Sequence, residues 1–116
     1  MIYDVDKVDL MAKRNDGGLD MFIIATGEID DSSDTQKLLL DKVDKYLGYV
    51  SSNEFVEEFP EVSKDSVTIV FELEKQVPEL LLELCKKIVP WAKDNGVRFT
   101  VTAPNYSVDG KANNTL

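Results

Sequence analysis

Four carboxylates crowd one short stretch of this chain: Glu28, Asp30, Asp31 and Asp34. Asp30, Asp31 and Asp34 are the candidate metal ligands, because calcium and magnesium take hard oxygen donors. The stretch lacks the glycine and the distal bidentate glutamate of an EF-hand loop. A plainer reading competes with the metal and is preferred. Acidic side chains gather before a helix because they cap its free N–H groups and complement its dipole.

The other candidate groups are fewer. Asp4, Asp6 and Asp9 could supply acid and base. Extended backbone, however, puts Asp4 and Asp6 on one face and Asp9 on the other, so they do not converge. Cys85 falls on the apolar stripe of a helix, where burial as a small hydrophobe is expected rather than reactivity. Trp91 suits a core edge or an interface. No histidine occurs in the chain. Ser-His-Asp and Cys-His sites are therefore excluded, and the commonest transition-metal ligand is missing. Gly17-Gly18 has no dinucleotide or phosphate-loop spacing around it, and no cofactor motif occurs elsewhere.

These groups must be positioned by one small domain. The 116 residues carry 43% apolar and 30% charged side chains, a globular composition with enough length for a single core. With 22 acidic and 13 basic residues the formal charge is −9. A field of that sign repels nucleic acid and anionic lipid, and it suits a basic protein partner, a cation or simple solubility. The basic residues are scattered and not interleaved with aromatics, so no nucleic-acid surface is expected. No apolar run reaches the ~20 residues of a membrane span. The opening residues Met1 to Asp6 have neither a basic nor an apolar leader region, so a cytoplasmic location is expected.

The periodicity predicts the elements. Val8, Leu10 and Ala12 alternate with Asp9, Met11 and Lys13 as a half-buried first strand, and Asn15-Asp16-Gly17-Gly18 makes a hairpin turn. Leu19 to Thr26 is a second strand, apolar on both faces and therefore placed centrally. Ser33 and Gln36 form a capping box for a first helix. That helix has an apolar face of Leu39, Val43, Tyr46, Leu47 and Val50, with Lys37, Asp41, Lys42, Asp44 and Lys45 largely on the other side. Asp41 and Lys45 have the spacing of an ion pair. Glu54 to Lys64 reads as irregular.

Val67 to Leu73 alternates as a third strand. Pro78 opens a second helix with the stripe Leu81, Leu84, Cys85, Ile88 and Ala92, kinked by Pro90 and stopped at Asn95-Gly96. Val97 to Ala103 is the fourth strand. Strands three and four, joined by a helix, are expected to be parallel. The fold class is α+β, a two-layer α/β sandwich of order ββαβαβ. Its four-stranded mixed sheet carries two helices on one face, and Thr68, Glu72, Arg98, Thr100 and Thr102 lie on the other. Residues 1–104 form the single domain and 105–116 a flexible tail.

Several of these segments resemble a family of short bacterial proteins known only as a domain of unknown function. The resemblance lies in Val5-Asp6-Lys7-Val8-Asp9-Leu10 and in the apolar second strand ending at an acidic link. It continues in Leu38-Leu39-Leu40 with Lys42-Val43 and Lys45-Tyr46-Leu47, in Phe59-Pro60, and in Asn95-Gly96-Val97. It spans about residues 5–103 and implies the fold without an activity. It also leads one to expect a tryptophan and a histidine near the start of the first helix, and this chain has neither there.

The functional expectation is a non-enzymatic protein-interaction module. It would be homodimeric through its open sheet face or a strand edge, or immunity- or antitoxin-like toward a basic enzyme. The alternative is a small ligand- or cation-binding protein, or a small enzyme, using the acidic loop.

Overall fold

The computed structural model describes residues 9–107. Strands β1 (Leu10–Lys13), β2 (Leu19–Ala25), β3 (Val67–Leu73), β4 (Arg98–Ala103) and the two-residue β5 (Tyr106–Ser107) form one sheet in chain order. β1 and β5 run antiparallel to their neighbours, while β2, β3 and β4 are parallel. Helices make both parallel crossovers: α1 (Ser33–Val50) and α2 (Asn53–Glu58) join β2 to β3, and α3 (Glu79–Asp94) joins β3 to β4. The class is α+β with a mixed sheet, as the alternation and stripes indicate.

One face of the sheet makes the core. Alternate residues Met21 and Ile23 of β2, Ile69 and Phe71 of β3, and Phe99 and Val101 of β4 are buried on the helix side. Against them pack Leu39, Val43, Tyr46 and Leu47 of α1 and Leu81, Cys85, Ile88 and Ala92 of α3. Each fully buried Leu, Ile or Phe side chain contributes roughly 1.5–3 kcal/mol over its exposed state. Pro90 lies inside α3, on the side turned away from the core, where the carbonyl it leaves unpaired can be hydrated.

Several local expectations are corrected. The cap of α1 is Ser32 and not Ser33: its Oγ accepts from the Thr35 backbone N–H, while the Gln36 amide reaches back to the Asp31 carbonyl. The segment read as irregular contains α2, a six-residue helix capped by Ser52 that buries only Phe55. One anchor and Pro60 left too little periodicity to show it. Lys42, placed by the sequence on the polar side of α1, has no exposed surface.

At the edges, β1 is turned the other way from a core strand. Its register sets Leu10 opposite Phe22 and Ala12 opposite Asp20, so both apolar side chains face away from the helices and Leu10 is 52% exposed. Val8, the third member of that alternation, lies outside the described residues. Past Pro104 the chain turns at Asn105, whose side chain accepts from the Val77 N–H and donates to its carbonyl. Tyr106–Ser107 then pairs back on β4. The rest of the expected tail, 108–116, lies outside the described residues.

Candidate functional site

The topology gathers the acidic residues at one end. α1 and α3 both begin where β2 and β3 finish, so their first-turn acids, Asp34 and Glu79, share the carboxyl end of the sheet. The Gly27 N–H donates to the Glu74 carboxylate at 2.6 Å and ties the two loops together. Glu28, Asp30 and Asp31 complete the set, and Lys75 is the one base in these two loops.

Asp30 is committed to the helix start. It accepts from the Ser32 N–H at 3.1 Å, the Ser32 hydroxyl at 2.8 Å and the Thr35 hydroxyl. These bonds, that of Thr35 first, hold its carboxyl below the usual carboxylate range. Asp31 is half-buried and Asp34 exposed. Among the described residues, no three His, Cys, Asp or Glu side chains form a group that could hold a metal ion.

A second cluster is buried and was not foreseen. β1 begins at Leu10, opposite Phe22, so the next outward N–H of β2 is satisfied by a side chain instead, and a second side chain reaches the Phe22 carbonyl. The Ile24 N–H donates to Asp9 Oδ2 at 2.9 Å, and the Phe22 carbonyl accepts from the Tyr46 hydroxyl at 2.6 Å. That hydroxyl also accepts from the Asp9 N–H, and Lys42 Nζ donates to Asp9 Oδ1 at 2.9 Å. The ammonium lies 5.5 Å from the centre of the Tyr46 ring.

Burial works to raise the Asp9 carboxyl, but it sits below its ordinary value, the Ile24 N–H and the Lys42 ammonium being among the groups that stabilise the anion. Burial pushes the Tyr46 phenol upward. Lysine, tyrosine and aspartate together could move protons, yet the side chains of Lys42 and Asp9 are 0% and 5% exposed. Both side chains are thus shut off from solvent. The cluster pins β1 and α1 to β2. No buried side-chain nitrogen or oxygen among the described residues lacks a hydrogen-bond partner.

The sheet face opposite the helices is different in kind. Phe22 and Ile24 of β2 and Val70 of β3 are half-buried there, with Leu10 exposed beside them. None of the four belongs to the core or packs against it. At one end of this face the Arg14 guanidinium staples three strands. It donates to Asp20 at 2.5 Å, to the Ser66 carbonyl at 2.7 Å and to the Thr68 hydroxyl at 3.3 Å. Thr68, expected on the exposed face, is buried beneath it. Glu72 and Arg98 are exposed on the same face with no ion-pair partner among the described residues.

A family model described as a family of unknown function, DUF6572, matches residues 1–105. The chain belongs to that family. No curated protein and no solved structure matches it. In this DUF6572 chain the features that stand out are thus an acidic end, a buried polar cluster and a sheet face that no described helix covers. Of the residues singled out from sequence, Cys85 is buried and burial pushes its thiol up to about 12, while Trp91 is half-buried against the core. The Lys42–Asp9 pair escaped notice because its partners are 33 positions apart. The available signal was the helical spacing of Lys42, three residues after Leu39 and four before Tyr46, on the buried stripe.

Proposed function

We propose that this chain is a non-enzymatic protein-interaction module whose contact surface is the open face of its sheet. The observation that carries this reading is the apolar group Leu10, Phe22, Ile24 and Val70, uncovered by any described helix and separate from the core. Phe22 and Ile24 account for the two-sided apolarity of β2. In a sheet with helices on one face only, side chains of that kind on the other face suit a partner surface.

The test is affinity capture with two baits, the wild type and a Phe22→Asp/Val70→Asp variant, verified as folded by circular dichroism. A stoichiometric protein held by the wild type and lost with the variant is the expected result. Identical recoveries with both baits would sink the reading. The acidic carboxyl end favours a second version, in which the partner is a basic protein such as an enzyme to be neutralised. In that version the association rate constant falls about tenfold or more between low salt and ~0.5 M salt. A rate indifferent to salt, measured by stopped-flow mixing, would remove it.

A further inference from the structure

We infer that the open sheet face binds a second copy of this chain, in a two-fold dimer that sets Arg98 of each protomer against Glu72 of the other. The inference rests on the interaction-module reading and names its occupant.

Charge decides between a second copy and other partners. The chain as a whole carries −9, so two copies repel each other over most of their surface. The open face is the exception. Among the described residues its charged groups are Arg14, paired with Asp20 at 2.5 Å and with Asp16 at 3.2 Å, and Glu72 and Arg98, which have no ion-pair partner. They nearly cancel. A strongly basic partner gains little from such a face, whereas a like-charged copy meets less repulsion there than over the rest of the surface.

The register makes the face self-complementary. Arg98 pairs across the strands with Thr68, and Glu72 lies four residues further along β3, about 13 Å away along the strand direction. Between them runs the row of Val70 and Thr100. A two-fold axis lying in the plane of the face beside that row places Val70 against its own copy. It also brings each Arg98 onto the opposite Glu72. Isologous contact of this kind closes on itself and leaves no edge to propagate. The available face is small, roughly 20 Å along the strands and about as wide across four of them, below the usual size of a tight complex, so a micromolar dimer is expected.

Sedimentation equilibrium of the purified chain, from about 10 μM to about 1 mM, reads this directly. The expected mass rises from 13.0 kDa toward twice that value. Arg98→Glu and Glu72→Arg should each weaken the dimer about tenfold, and the double exchange should restore it. The Glu72→Arg arm is the discriminating one. It lowers the net negative charge, so general repulsion would predict tighter association, whereas the proposed pairing predicts looser. A mass that stays at 13.0 kDa at the highest concentration overturns the second copy as occupant. It leaves the capture experiment to decide the module reading on its own. A dimer that survives Val70→Asp, or that tightens with Glu72→Arg, places the contact elsewhere and also overturns the inference.

Discussion

Replacing Asp9 with alanine is expected to destabilise the fold by about 3–5 kcal/mol, the range found when one partner of a buried ion pair is removed. Two losses combine. The Ile24 N–H in β2 loses its acceptor, and Lys42, with no exposed surface, loses a carboxylate at 2.9 Å. Urea unfolding followed by tryptophan fluorescence measures the change, and a loss below about 1 kcal/mol would show that the cluster contributes little.

The pH dependence of the same group has a fixed sign. The folded carboxyl titrates below its ordinary value of 3.8, so its stabilising contribution is present above that value and disappears as pH falls through the lower folded value. Asp9→Asn keeps an acceptor for the Ile24 N–H and removes the charge. Its deficit relative to wild type should therefore be largest near neutrality and narrow below about pH 4. A deficit that stayed constant down to pH 2.5, about a unit below the ordinary value, would rule out the charge as its source.

Gly18→Ala should have the next largest effect, about 2 kcal/mol, although its backbone torsions suit any residue. Only Gly17, Gly27 and Gly96 have positive φ among the described residues. The obstacle at Gly18 is steric. A Cβ there would stand 1.9 Å from the Arg14 guanidinium and 2.6 Å from the Ser66 carbonyl oxygen. The guanidinium could swing away, but it would surrender Asp20, Thr68 and Ser66 together, and the carbonyl belongs to backbone leading into β3. Gly17→Ala is the control: its φ of 90° strains the backbone, but nothing lies within 4 Å. It should cost about 1 kcal/mol, so thermal unfolding ought to rank Gly18→Ala as the more damaging change. The reverse order would mean that Arg14 does not hold the hairpin.

How far the chain could be read before folding depends on how local each signal was. The alternation of Val67, Ile69, Phe71 and Leu73 and the stripe Leu81, Leu84, Cys85, Ile88 and Ala92 each repeat several times, so the buried faces of β3 and α3 are legible, with Leu84 alone only half-buried. α2 has one buried residue, Phe55, and one point defines no period. The capping box reads one residue too late because Ser32 and Ser33 are adjacent and Gln36 stands three positions after Ser33. What separates them is Asp30, which fixes the hydroxyls of Ser32 and Thr35. Lys42 went unrecognised because a lysine is buried only when a specific partner comes to it, and Asp9 arrives from another element. The open face was legible in part. The pattern places Glu72, Arg98, Thr100 and Thr102 on it, but the apolar run through Phe22 and Ile24 reads as the second buried face of a central strand.

The single cysteine makes the folded chain report on itself. Cys85 has no exposed surface, and with its thiol pushed up to about 12 almost none of it is thiolate at neutral pH. An alkylating reagent can therefore capture it only in molecules whose third helix has come off the sheet. The rate of mass gain in native buffer counts those openings without denaturant, label or engineered probe. Such a chain carries its own clock for the loss of its core, and every substitution above can be timed against it.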